Sequence, residues 1–201
     1  ARVLVHAPQQ VAVRPAERGV RDDAAAHLVG DEDDFAGSAR RARETVADLD
    51  LVAGSRRPAE VAERLVAFPQ VAEVLARGET KTTVRLASGL PVDLRVVPPE
   101  DFATLLHHLT GSKAHHVRLR GLARERGLTL GEWGLARLDG GERIPLASEE
   151  DVYRALGMQP VPPELREDEG EVEAALEGRL PADLLEEGDL LGMVHVHTTW
   201  S

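Results

Sequence analysis

The chain of 201 residues fits one ordinary domain or two small ones, and 42% hydrophobic residues supply enough apolar material for a core. No run of 18 apolar residues crosses a bilayer, no export signal opens the chain, and no cysteine offers a disulfide or a thiolate metal site, so we expect a cytoplasmic protein with no membrane partner. The net charge of −11 speaks against nucleic-acid binding only as an average: residues 104–137 hold six Lys/Arg against two Asp/Glu, whereas residues 138–188 hold four against fifteen.

Residues 1–34 show loose alternation over Ala1–Val13 and an acidic run at Asp31–Asp34, without a clear period. From Phe35 the pattern sharpens. Gly37-Ser38 is a turn signal before an arginine-rich loop, and Asp48–Val52 alternates as a half-buried strand does. Pro58–Leu65 reads as a helix with Ser55 as its candidate cap. Val71–Leu75, Lys81–Leu86 and Pro91–Val97 read as strands, the last two joined at Ser88-Gly89. Two helices follow, Asp101–His108 and Ala114–Arg126, with a break at Thr110–Ser112 and a stop at Gly127. Short strands are expected around Leu128 and Leu135, then a helix over Ser148–Leu156 with Ser148 and Asp151 spaced as a cap. Pro160–Pro163 opens what reads as an irregular acidic linker, and Met193–His197 alternates as a final strand.

Asp48 and Asp50 lie two apart on an expected strand, so both carboxylates project to one side. Such a pair repels unless a cation sits between them, which suits a hard divalent ion, although Asp-x-Asp on a strand is more often a solvent face. Asp93 strengthens the case. In Pro91-Val92-Asp93-Leu94-Arg95 it alternates with core residues, and a strand paired beside Asp48-Leu49-Asp50 would make three carboxylates converge. Arg95 beside it reads equally as a structural ion pair with Asp93 or as a group that orients its carboxylate. Gly37 permits close approach of backbone to a ligand, Ser38 can donate to a phosphate oxygen, and Arg40, Arg41 and Arg43 match phosphate geometry.

The run from Gly37-Ser38-Ala39-Arg40-Arg41 to Asp48-Leu49-Asp50 resembles the palm motif of family X DNA polymerases. The resemblance continues through Gly78-Glu79-Thr80-Lys81, Val92-Asp93-Leu94-Arg95, Leu109-Thr110-Gly111-Ser112-Lys113 to Arg120, and Pro145-Leu146-Ala147-Ser148-Glu149-Glu150-Asp151. The chain's only two lysines, Lys81 and Lys113, both fall inside these motifs. Pro160–Arg166 and the closing His195-Val196-His197 resemble the bacterial version, in which the thumb leads by a linker into a metal-dependent PHP domain.

The resemblance implies an α+β nucleotidyltransferase palm with a mixed sheet over residues 35–100 and a mostly helical thumb over 101–160. Residues 1–34 would be a divergent or truncated remnant of the N-terminal and fingers region, and 161–201 the acidic linker and first strand of a truncated PHP domain. It implies two Mg2+ (or Mn2+) ions held by Asp48, Asp50 and Asp93, with Gly37, Ser38 and Arg41 on the incoming triphosphate. The turn His108-Leu109-Thr110-Gly111 would lie against the nucleotide sugar and His116 against the base, while Lys113, Arg118, Arg120 and Arg124 would contact DNA. The chain departs from the family pattern at Ala47, where glycine is usual, at His108 and Leu109, where aromatics are usual, at His116, where asparagine is usual, and throughout residues 1–34. His107 and His115 read as an ordinary polar helix face, and His195 with His197 as an incomplete metal site.

The expected function is a monomeric polymerase that adds deoxynucleotides from triphosphates to a primer end in gapped or primed DNA, as in short-gap repair. The alternatives are a non-catalytic fragment that binds DNA or nucleotide, and a different nucleotidyltransferase with the same Gly-Ser and Asp-x-Asp core.

Overall fold

The computed structural model describes residues 11–12, 32–181, 184 and 189. The expected closing strand with His195 and His197, and nearly all of residues 1–31, lie outside the described residues.

A five-stranded mixed sheet carries the first half. Its strands are β2 (Glu32–Phe35), β4 (Leu49–Gly54), β5 (Val71–Arg77), β6 (Lys81–Leu86) and β7 (Pro91–Val97), in the order β2-β4-β7-β6-β5. A separate pair joins β1 (Val11–Ala12) to β3 (Thr45–Val46). β4 and β7 run parallel at the centre, and the other neighbours are antiparallel. Two parallel neighbours need a crossover, and here α2 (Pro58–Val66) with the β5–β6 hairpin supplies it.

The two central strands are covered on both faces. Leu49, Leu51 and Ala53 of β4 and Val92, Leu94 and Val96 of β7 pack with Val61 and Leu65 of α2 and with Phe68. The opposite face presents Val52 and Val97 to Phe102, Leu105 and Leu106 of α3 (Pro99–Thr110). Strand alternation therefore assigns Asp50 and Asp93 to the α3 face. Proline stands at the first turn of α2, whose cap position is Arg57. Ser55 does not cap this helix: its hydroxyl accepts from the Arg57 backbone N–H at 3.1 Å.

The second half is mainly helical. α3 leads through Gly111 into α4 (Lys113–Glu125), where the Ser112 hydroxyl accepts from the His115 N–H at 3.1 Å. Gly127, at φ +71°, stops the helix as expected. The hairpin β8 (Leu128–Gly131) and β9 (Gly134–Arg137) follows, then α5 (Glu149–Ala155) with the capping box of Ser148 and Asp151.

The segment after Pro160 is not an irregular linker over its first part. A 3-10 turn at Pro163–Leu165 and helix α6 (Glu171–Leu176) pack onto the helical core, where Val161, Val172 and Ala175 join Leu119, Leu122, Val152, Tyr153 and Leu156. The apolar positions Val172 and Ala175, one helical turn apart, explain this: they give a nominally acidic stretch one buried face.

Candidate active site

Asp50 and Asp93 face each other in register across the parallel β4–β7 pair. Asp48 is not on the strand: it stands in the bend just before Leu49, on the exposed side. Its charge still reaches Asp50. The Asp50 carboxyl is pushed up to about 6, first by burial, then by repulsion from Asp48 and Asp93, with Lys81 and Arg41 opposing. Asp93 behaves oppositely. Burial acts against its ionised form, yet the Thr83 hydroxyl, donating at 2.5 Å, and the Lys81 ammonium at 2.9 Å hold it below the usual carboxylate range. Arg95 pairs with Glu132 at the hairpin tip, so its ion pair joins the two halves of the chain.

Gly37 does not form a simple turn with Ser38; it opens α1, a single helical turn over Gly37–Arg40. Its φ is +63°, and a Cβ added there would stand 2.2 Å from Asp50 Oδ2. Only glycine brings this backbone so close to the carboxylate. Ser38 follows on the same turn, half-buried. The Arg41 guanidinium donates from Nε to Glu167 at 2.7 Å and from Nη1 to the Thr110 carbonyl at 2.7 Å. Arg40 reaches the Thr110 hydroxyl at 3.0 Å and grips Glu149 with two bonds, of 2.9 and 2.7 Å. Glu149 also accepts from Arg166 at 2.6 Å, and Arg166 is only 3% exposed.

Thr110 is thus the meeting point of α1 and the last turn of α3: His108, Leu109 and Thr110 complete that helix rather than forming the expected turn, and Gly111 stands at its end. His108 and Leu109 are half-buried, and Thr110 is fully buried. His116 sits behind the turn, so close that a Cβ on Gly111 would stand 2.7 Å from its Nε2. That Nε2 is buried and has no hydrogen-bond partner in the protein. Burial pushes the His116 imidazole down to about 3, with His108, His115, Arg120 and Arg166 adding to the effect.

His107 and His115 are not a polar helix face: they are 1% and 0% exposed. His107 packs edge-on against His116 and Tyr153, with ring centroids 5.4 and 5.2 Å apart. His115 bonds Glu171 at 2.6 Å through Nδ1 and the Tyr153 hydroxyl at 3.2 Å through Nε2. Helical spacing could have shown this, because His115 shares a face with Leu119, Leu122 and Ala123, and His107 with Thr104 and Thr110.

Of the expected DNA contacts, Lys113 and Arg124 are exposed and Arg120 is half-buried near His108. Arg118 is exposed but paired with Glu173, whose carboxylate accepts from its Nε at 2.9 Å. Glu149 and Arg166 fall inside motifs of the resemblance but had no partner assigned there, and Glu167 and Glu173 carried no signal beyond an acidic composition; the structure pairs Glu149 with Arg40 and Arg166, Glu167 with Arg41, and Glu173 with Arg118.

Among the described residues no three His, Asp or Glu side chains form a ready metal-binding group. The donors nevertheless suit hard divalent ions: Asp50 and Asp93 are register partners offering oxygen ligands, Asp48 adds a third charge nearby, and Lys81 supplies positive charge to Asp93 meanwhile.

The comparisons agree with this architecture. The profile of the DNA polymerase beta thumb matches residues 105–167. The chain is 43% identical over 168 residues to the DNA polymerase/3'-5' exonuclease PolX of Bacillus subtilis, which covers 83% of this chain. The thumb profile and the 43% identity to the Bacillus relative support a fragment of a bacterial-type family X DNA polymerase. Two animal members also match over shorter stretches: human DNA-directed DNA/RNA polymerase mu at 42% over 37% of the chain, and rat DNA polymerase lambda at 31% over 33%. The chain spans 29% of the length of the Bacillus relative, and 15% and 13% of the other two. The expected α+β class stands, and no helix among the described residues is long and apolar enough to cross a membrane.

Proposed function

We propose that this chain carries the catalytic palm and the thumb of a family X DNA-directed DNA polymerase that adds deoxynucleotides to a primer 3' end in short-gap repair. The observation that carries the reading is the Asp50–Asp93 register pair, with Asp50 driven up to about 6 by burial and by its acidic neighbours. A protein keeps such repulsion where a ligand relieves it. In this reading Asp48, Asp50 and Asp93 hold two Mg2+ (or Mn2+) ions, which when bound supply charge neutralisation for the triphosphate and activate the primer hydroxyl.

The chain's own residues do the rest. Gly37 lets the backbone of α1 come close to the reacting group, and Ser38 on the same turn donates to phosphate. Arg41 adds positive charge near Asp50. The last turn of α3 with Gly111 backs the sugar, and His116, neutral at working pH and with its Nε2 buried behind Gly111, stands on the base side of that turn. Lys113, Arg120 and Arg124 take DNA phosphates. Deoxynucleoside triphosphates and gapped or primed DNA are the partners, and the setting is cytoplasmic and monomeric.

The test is extension of a primer across a short gap with Mg2+ present and absent. Metal-dependent addition by the wild-type chain supports the reading. Binding of gapped DNA without any addition would leave only the non-catalytic alternative.

A further inference from the structure

Resting on that reading, the geometry points to Glu167 as a positioning residue for nucleotide addition: it fixes the Arg41 guanidinium beside the carboxylates so that the arginine meets a triphosphate already oriented. Arg41 is bound on two sides, by Glu167 at Nε and by the Thr110 carbonyl at Nη1, both at 2.7 Å. Those bonds use two of the five N–H donors of a guanidinium, whose planar fork sets the direction of the others. Arg43 adds a looser contact, its Nη1 standing 3.6 Å from the same Glu167 oxygen.

Glu167 is itself held on an over-determined piece of chain. On one side the Arg166 carbonyl accepts from the Ser112 N–H at 2.9 Å, and the buried Arg166 side chain is tied to Glu149 and to the Val161 carbonyl. On the other side Asp168 sits at φ +66°, a left-handed conformation that a non-glycine residue adopts at some expense of free energy. The Glu171 carboxylate holds it there, accepting from the Asp168 and Glu169 N–H groups at 2.9 and 2.7 Å. Hydrogen bonds that fix Arg166 on one flank, and the left-handed backbone of Asp168 held by Glu171 on the other, together aim the side chain between them. What that side chain touches is an arginine whose charge already acts on Asp50.

An unheld arginine would reach the same place only by losing side-chain freedom on binding, which weakens affinity. Glu167→Ala is therefore expected to raise KM for the incoming nucleotide by roughly tenfold while changing kcat less than about twofold. Glu167→Gln keeps an oxygen acceptor for Nε and should restore KM to within roughly threefold of wild type. Steady-state single-nucleotide gap filling, with the thermal midpoint of each variant as control, reads both. The same pair measured in an Arg41→Lys background should show no further effect of Glu167→Ala, because lysine lacks Nε. This cycle separates positioning from folding even where the alanine variant loses stability. An unchanged KM in Glu167→Ala, an equal effect in the Arg41→Lys background, or a lowered KM, which would make Glu167 a competitor of the triphosphate, each overturns the assignment. A wild-type chain that adds no nucleotide and binds none in an equilibrium titration with Mg2+ and deoxynucleoside triphosphate overturns the polymerase reading itself.

Discussion

The sheet half and the helical half both bury charge, but they treat it in opposite ways. Around β4 and β7 the carboxylates of Asp48, Asp50 and Asp93 repel one another, and Asp50 is left destabilised in its ionised form. Between α1, α5 and the 3-10 turn, the Arg40–Glu149–Arg166 network closes on itself: Glu149 is held below the usual carboxylate range despite its burial by bonds to both arginines. Unrelieved repulsion belongs where a ligand arrives, and completed pairing belongs where two halves must stay in register. Substituting one group in each half should therefore change stability with opposite sign.

The largest effect is expected at Asp50. Asp50→Asn should lower primer extension by more than about a hundredfold, because it removes an oxygen ligand and its charge. In EDTA the same variant should be more stable than wild type, on the order of 1–3 kcal/mol. The sign follows from linkage. A carboxyl raised to about 6 in the folded state, against 3.8 as its ordinary value, loses stability as pH rises from about 4 to 6, and asparagine abolishes that slope. Denaturant titrations at pH 4.5 and 7.5 measure it. Equal slopes for the two proteins would show that neither burial nor the acidic neighbours raise the Asp50 carboxyl in the free protein.

Glu149 gives the opposite sign. Glu149→Ala leaves Arg40 and Arg166 without their shared partner in a largely buried place, and such breaks remove about 3–5 kcal/mol of stability. Chemical denaturation should show this loss without any gain at low metal. A loss under about 1 kcal/mol would mean that water replaces the carboxylate, as it does for exposed pairs.

The histidine cluster makes the helical half sensitive to acid. His107 and His116 are held neutral by burial, His116 down to about 3, whereas the unfolded chain takes up protons near 6.5. The folded values are depressed, so the unfolded state binds more protons below about 6.5 and stability falls as pH drops. Each imidazole contributes about 1.4 kcal/mol per pH unit well below that value. His116→Gln should flatten the slope between pH 6.5 and 5 by its own share, up to about 1.4 kcal/mol per pH unit, leaving those of His107, His108 and His115, which burial also depresses, as read by thermal unfolding. An unaltered slope would assign the acid sensitivity elsewhere.

Much of the framework was legible because it is local. β6 and β7 were read at their observed limits, since strict alternation of Thr82, Val84 and Leu86 and of Val92, Leu94 and Val96 gives one buried face. Ser148 and Gly127 act at the helix ends where side chain and backbone freedom predict, whereas Ser112, expected only as part of a break, caps α4. The facing of Asp50 and Asp93 was anticipated from alternation on two strands, but Asp48 fell outside β4 because two-residue alternation does not mark where a strand begins. The pairing of Arg40 with Glu149, 109 residues apart, left no periodic trace, and a run of acids reads as solvated unless its partners are known. Helical position was the overlooked signal for the buried histidines, whose polarity outweighed their spacing.

The smallest effect concerns the basic face of α4, where charge pairing decides which arginines are free to act. Arg118 and Arg124 are both exposed, but Arg118 is engaged by Glu173. Phosphate binding at Arg118 must first break that pair, whereas no such pair is formed by Arg124 among the ion pairs of the described residues. Arg124→Ala should therefore weaken binding of gapped DNA and reduce the salt dependence by about one ion, while Arg118→Ala changes both less. Glu173→Gln should act in the other direction, strengthening binding by a few fold at low salt and less at high salt, since screening weakens the pair and the DNA contact together. Fluorescence anisotropy over a salt series reads all three. A larger loss at Arg118 than at Arg124, with Glu173→Gln indistinguishable from wild type, would show that the carboxylate is displaced by DNA without consequence, and that the acidic tail does not tune the basic face.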